Sequence, residues 1–276
     1  MEPRGYFFWL LVVSALSFGL ERLFTWRTKQ PVLRRDLLQD IFWLVFNGHF
    51  AGVLIAIPAA RAVEEIAALF GLVGLAEPAS IAWLGAAPLA VQFVVVLVLK
   101  DFLEWSIHRL LHRVPWLWTF HKVHHSIEAL DWIGSFRFHW MEIVIYRALT
   151  YLPLVILGID GRAMLAIAVV GTLIGHLNHA NIRWDWGPLR YVINSPRFHV
   201  WHHDRTLHVS HGQNFAIIFP AWDFLFGTAY LPGDTEQPEA LGFAGDETFP
   251  RSTAARLVHP LPTRWPPART QDAASR

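Results

Sequence analysis

Thirteen of the fifteen histidines lie between His108 and His211, leaving only His49 and His259 outside. Four groups have helical spacing: His108-x-x-x-His112, His121-x-x-His124-His125, His176-x-x-His179 and His199-x-x-His202-His203. Positions i, i+3 and i+4 of a helix share a face, so the rings of each group converge. Protonated rings placed this way would repel, and neutral ones would lack partners. A metal ion resolves both problems, because it binds the neutral imidazole. A single histidine in an apolar helix is ordinarily a satisfied core or interfacial residue, which is how His49 and His259 read. The histidine tracts of metal transporters tend to be low-complexity. Here the intervening residues are apolar and aromatic.

Imidazole suits zinc, copper, iron and nickel alike. A structural zinc takes four ligands and a catalytic zinc three. Eight or nine converging rings therefore imply two ions. The zinc-protease pattern His-Glu-x-x-His is absent, since Arg109 follows His108. A bis-histidine haem would need rings facing each other across a bundle, not tight clusters at helix ends. With no Cys, thiolate zinc and Cys-ligated iron–sulfur sites are excluded.

The elements that must position these rings are apolar. Of 276 residues, 54% are hydrophobic and only 16% charged, well below the quarter usual in soluble domains. Fourteen Trp fit a chain with membrane–water interfaces. Apolar runs cover about Tyr6 to Phe24, Ile41 to Ala60, Ile81 to Leu99, Ile143 to Ile159 and Ala163 to Leu177. The first reads as a retained span and not a cleaved leader, since Arg and Lys follow it. The last two are short for a span and read as tilted spans or a partial hairpin. Val63 to Phe70 reads as a short interfacial helix or loop. The expectation is an all-α integral membrane protein with about four or five membrane segments. N-terminal membrane helices occupy 1–95, the histidine-bearing unit 96–231, and a polar, Pro-rich surface or disordered tail 232–276.

Loop charges set the orientation. Arg22, Arg27, Lys29, Arg34 and Arg35 follow the first span, whereas the loop from Arg61 to Ser80 holds only Arg61. The positive-inside rule places the first loop in the cytoplasm. Counting spans onward puts the histidine groups there too, on a helical cap. The net charge of +1 makes nucleic acid an unsuited partner.

From Asp101 to Thr228 the sequence resembles the fatty acid hydroxylase/sterol desaturase superfamily of membrane di-iron oxygenases. The residues that carry the likeness are Asp101-Phe102-Leu103-Glu104-Trp105 leading into His108-x-x-x-His112, then Trp118-x-x-His121-x-x-His124-His125-Ser126. Arg137-Phe138-His139, His179-Ala180-Asn181, Asn194-Ser195-Pro196-Arg197-Phe198-His199-x-x-His202-His203, Asn214-Phe215 and Trp222-Asp223-Phe224-Leu225-Phe226-Gly227-Thr228 complete it. The resemblance implies two iron ions held by His108, His112, His121, His124, His125, His179, His199, His202 and His203, with His176 as a further ligand. The chain departs from the family at Trp140, where Pro is common after Arg-x-His, so His139 is not counted. His208 and His211 lie in a loop that varies among relatives and are also left out. Asp101, Glu104, Asn214 and Asp223 are candidates to support the ligands, Asp101 and Asp223 by accepting an imidazole N–H. Trp105, Trp116, Trp118, Phe120 and Phe136 are candidates to line a dry pocket.

The implied reaction is O2-dependent hydroxylation of an unactivated C–H bond in a lipid, with desaturation on the same site as the alternative. A membrane zinc hydrolase would need a general-base carboxylate within a histidine group. A metal transporter would need polar residues midway along several spans. Without cysteine, a phosphate-cradling Gly-rich turn or a cytochrome b5-like segment, electrons are expected from a separate ferredoxin or b-type cytochrome with its reductase. Arg109, Arg113, Lys122, Arg183 and Arg190 would form its docking face.

Overall fold

α1 (Pro3–Leu23) is apolar along nearly its whole length, and its one buried acid has a structural use. Glu21 accepts the backbone N–H of Trp132 at 2.9 Å and of Asn181 at 3.0 Å, tying α1 to two later loops. A computed structural model describes residues 3–74, 83–233 and 237–261; the stretch Arg264 to Arg269 and residues 75–80 of the loop from Arg61 to Ser80 lie outside them.

α2 (Leu37–Val45) runs through a π-turn at Phe46–Phe50 into α3 (Ala51–Leu72), which continues past Pro58. Val63 to Phe70, expected as a separate interfacial piece, is therefore part of one long helix. The π-turn brings Asn47 round to donate to the carbonyls of Phe136 (2.9 Å) and Phe138 (2.8 Å), fixing the loop behind the histidines. A side chain at Gly48 would begin 2.7 Å from the Leu10 terminal methyl and 3.3 Å from Phe136, so the glycine lets α1 pack closely on this turn.

α4 (Leu89–Arg113) is a single 25-residue helix. It ends where Val114 becomes extended ahead of Pro115, a residue pair disfavoured in a helix. Pro115 then opens α5 (Pro115–His125), where its missing N–H costs nothing. α6 (Trp140–Thr150) and α7 (Leu152–Ile156) form a bent pair ahead of α8 (Gly161–His179), which Asp160 caps by accepting from the Arg162 N–H at 2.7 Å. α9 (Pro196–His199) is capped by the Ser195 hydroxyl and has Pro196 in its first turn. α10 (Ala221–Leu225) and α11 (Thr253–Val258) complete the helices used below. Among the described residues there is no strand, only isolated bridges at Thr25–Ile182 and Asp204–Leu241.

Among the described residues, three helical stretches are long and apolar enough to cross a membrane: Gly5–Leu23, Leu37–Leu72 and Gly161–His179. α4 is long enough, but it runs on past the apolar stretch that ends at Leu99, so that Lys100, Asp101 and Glu104 sit midway along it. α6 and α7 are too short singly.

The expected surface tail is also corrected in part. Phe243 and Phe249 are buried against Trp43 of α2 and Val123 of α5, so residues 243–257 pack over α2 and the histidine-bearing α5. Beneath it lies a buried charge network. Arg137 donates to Asp40 at 2.5 and 2.7 Å and to Asp36 at 3.0 Å, while Arg34 donates twice to Asp131 at 2.6 Å and also to Asp40. Removing one member would strand a buried charge, at a cost of roughly 3–5 kcal/mol.

Candidate metal centre

Five of the histidines are oriented through Nδ1. His108 donates to the Phe215 carbonyl at 2.7 Å, His202 to that of Gln213 at 2.8 Å, His124 to that of Arg137 at 3.3 Å and His179 to that of Gly175 at 2.9 Å. His121 bonds Glu142 Oε1 at 2.9 Å. A carbonyl oxygen only accepts, so in those four rings the proton sits on Nδ1 and Nε2 presents a bare lone pair; an ionised Glu142 sets His121 the same way. Those lone pairs then face each other. His108 Nε2 is 3.1 Å from His121 Nε2, and His124 Nε2 is 3.3 Å from His179 Nε2.

Two acceptors at such distances repel unless a cation lies between them. With metal–nitrogen bonds of about 2.1 Å, neighbouring ligands on a tetrahedral or octahedral ion stand about 3.0–3.4 Å apart. The observed spacings match that edge. Further edges run from His125 to His112 (3.1 Å) and to His202 (3.0 Å), and from His199 to His179 (3.3 Å). Neither nitrogen of buried His203 has a hydrogen-bond partner among the described residues.

The rings form two groups, each with its candidate ligand atoms within 4.8 Å of one another: His108, His112, His121, His125 and His202, and His124, His179, His199 and His203. Each His-x-x-His-His motif is shared between them. His121 and His125 serve the first group and His124 the second; His199 and His203 serve the second and His202 the first. Helical rotation of about 100° per residue sends neighbouring rings of α5 to different groups.

Nine of the ten histidines expected as ligands are thus brought together. His176 is not in either group. Its ring bonds Ser14 at 3.1 Å, Ser135 at 2.6 Å and the Trp132 carbonyl at 3.0 Å, joining α1 to the loop before α6. His139 caps α6 and reaches the Leu257 carbonyl. His208 pairs with Asp204 and stacks on Tyr230. His49, His211 and His259 stand away from both groups.

The four expected supporting residues touch no imidazole. Asp101 accepts from the backbone of Ile218 and Phe219 and from the Trp222 indole, and Asp223 from the backbone of Phe215 and Ala216, the Trp105 indole and Thr228. Their role is one step back, since they pin the turn whose Phe215 carbonyl holds His108. Asn214 adopts a left-handed backbone (φ 57°), which Asn tolerates, and ties Phe198 to Tyr230. Glu104 pairs with Lys100 instead. The carboxylate that does receive an imidazole N–H is Glu142, which sequence reasoning missed. Its one sequence signal is an acid, three residues after His139, opening an apolar helix.

Burial, reinforced by neighbouring rings, pushes His121, His124, His125, His199, His202 and His203 well below the usual imidazole range. They stay neutral, the form a metal needs. In the unfolded chain the same rings take up protons near pH 6.5. Below that pH the unfolded state binds more protons, so metal-free protein should gain stability as pH rises through 6.5 and lose it as pH falls. Thermal melts of metal-stripped protein in detergent should show a lower midpoint at pH 5.5 than at pH 7.5. An unchanged midpoint would mean that the rings are hydrated.

A cavity of about 220 Å³ meets both groups. His108, His121, His124, His179 and His199 close one end, and Tyr6, Lys100, Tyr151, Ala168 and Thr172 line it further along. Of the five aromatics expected there, only Phe136 lines it. Trp105 packs on Phe215, Trp118 covers His112 and His125, Phe120 lies on His139, and Trp116 is exposed. Phe138, stacked on His124, is a further lining residue.

Comparison with known proteins gives a consistent picture. The family model for fatty acid hydroxylase matches residues 93–228. An ornithine lipid hydroxylase of Rhizobium tropici is 38% identical over 148 residues, 52% of this chain and 44% of that protein. Human cholesterol 25-hydroxylase is 31% identical over 140 residues, half of each chain. Human alkylglycerol monooxygenase is 28% identical over 128 residues, 46% of this chain and 28% of that protein. The matched region spans about half or less of these relatives' length. No solved structure matches the chain.

Proposed function

With residues 93–228 belonging to the fatty acid hydroxylase family, we propose that this protein is a membrane oxidoreductase that hydroxylates an unactivated C–H bond of a lipid with O2, at a centre of two iron ions. The observation that carries the reading is the pair of facing lone pairs, one pair in each histidine group, at 3.1 and 3.3 Å. Two cations satisfy them, one per group. The all-imidazole donor set fits iron, and the redox chemistry of O2 requires a metal that changes oxidation state, which zinc does not. Bound iron would supply the oxygen activation.

The chain's own residues do the rest. Glu142 and the carbonyls of Phe215, Arg137, Gly175 and Gln213 keep the protons on Nδ1, so that every Nε2 they control faces the ions. The cavity holds the lipid against His108, His121, His124, His179 and His199. Phe136 and Phe138 keep water from that end. Hydroxylation inserts one oxygen atom into C–H and reduces the other to water, which consumes two electrons and two protons beyond those of the substrate. A separate ferredoxin or b-type cytochrome, with its reductase, delivers them on the cytoplasmic side. Arg113 is exposed on that face, while Arg109 lies over Trp105, Lys122 over Phe243, and Arg190 pairs with Asp185.

Inside-out membrane vesicles containing the iron-loaded protein should consume O2 and release lipid carrying label from isotopically heavy O2 when reductase and carrier are added outside. Right-side-out vesicles should not. Unlabelled product lacking two hydrogens would instead identify a desaturase. Failure of metal-replete protein to turn over any membrane lipid would overturn the proposal.

A further inference from the structure

The cavity is largely apolar, yet charged side chains stand in its wall away from the histidines. Lys100, Glu104 and His108 lie on successive turns of one face of α4 and all line it. Lys100 Nζ bonds Glu104 Oε1 at 2.6 Å and lies 5.2 Å from the Tyr151 ring centre, so this pair is internally neutral. Arg147, on α6, lines the same cavity with Tyr146. Among the described residues its guanidinium has no ion-pair or hydrogen-bond partner. It lies over Gly52 of α3, where a Cβ would stand 3.2 and 3.4 Å from its two terminal nitrogens. The absence of a side chain at Gly52 is what gives the guanidinium this place.

Lys100 is buried and Arg147 half-buried between the helices; charges placed there in a membrane protein are costly, and they mark sites where a ligand or a partner compensates them. Two cations and one carboxylate line the cavity away from the histidines, which leaves one positive charge uncompensated. A guanidinium takes a carboxylate or phosphate in a two-pronged bond.

We propose that the substrate is an anionic lipid, anchored by its carboxylate or phosphate at Arg147, so that a carbon further along the molecule reaches the histidine centre. Arg147 and the histidines line one cavity, and an anchor at Arg147 therefore fixes which carbon is oxidised. This deepens the hydroxylase reading and rests on it.

The test is binding to the purified full chain in detergent. Radiolabelled palmitate is compared with methyl palmitate, and lysophosphatidate with monopalmitoylglycerol. The wild type should prefer the anion in at least one pair by about tenfold or more, the range expected for a charge-assisted hydrogen bond. The pair that shows it tells carboxylate from phosphate. Arg147→Gln should abolish the preference, and Arg147→Lys should keep part of it. Gly52→Ala, which crowds the guanidinium but leaves its charge, should weaken the preference and serves if Arg147→Gln does not fold. His124→Ala should lose turnover yet keep the preference, so that failure of the hydroxylase reading and failure of the anchor give different results. No preference in either pair, or one that survives Arg147→Gln, would refute the anchor.

Discussion

Replacing His124 with alanine should lower bound metal from two ions per chain to one or fewer, and reduce lipid oxidation by more than about a hundredfold. The ring supplies an Nε2 to the second group, 3.3 Å from that of His179. Its loss leaves three histidines there, with the lone pair of His179 facing an empty volume. Losing even a residue that merely orients a ligand costs about 10–100-fold in metal affinity or activity, and losing the ligand itself must cost more. Metal analysis of purified protein separates this from misfolding if His176→Ala and His259→Ala are run beside it. Both lie outside the two groups and should keep two ions. His259→Ala should also keep full activity. Equal metal loss at His124 and His259 would show that the grouping is wrong.

The second large effect is expected at Glu142. Its carboxylate is fully buried, and it bonds the Nδ1 of His121 at 2.9 Å. Glu142→Leu would strand a buried N–H, a penalty of about 1–3 kcal/mol, and would free His121 to turn its proton towards the metal position. Activity and metal retention should fall by about 10–100-fold. Glu142→Gln keeps an acceptor oxygen at the same reach and should retain most of both. If leucine and glutamine behaved alike, the carboxylate would be an ordinary buried acid and not the group that orients His121.

These two residues also show what a sequence can and cannot display. His124 announces itself because helical spacing is local: residues three and four apart share a face in any helix. Glu142 does not, because its partner is 21 positions away across a turn and a loop. Backbone carbonyls such as those of Phe215 and Arg137 have no residue type to read at all. His176 and His179 have the same separation as a ligand pair, yet Ser14 and Ser135 claim the first ring from 162 and 41 positions away. Lys100, Asp101 and Glu104 disguise the length of α4: the first and last pair with each other one turn apart, and the groups that satisfy Asp101 lie on a distant segment. Phe243 and Phe249 look like isolated aromatics in a polar stretch until Trp43 and Val123 are placed beneath them.

The sharing of each His-x-x-His-His motif between the two groups has a consequence for how the centre fills. An ion in the first group would fix His121 and His125, and by fixing that turn of α5 it would also fix His124, which belongs to the second group. The segment from His199 to His203 makes the same exchange in the opposite sense. The ordering cost of both segments falls largely on whichever ion binds first, so the second enters a site already assembled. Such coupling is reciprocal by thermodynamic necessity. Loading should therefore be cooperative, with few singly occupied molecules at half saturation. Native mass spectrometry across a metal titration would count them, and a population dominated by one-ion species would show the two sites to be independent.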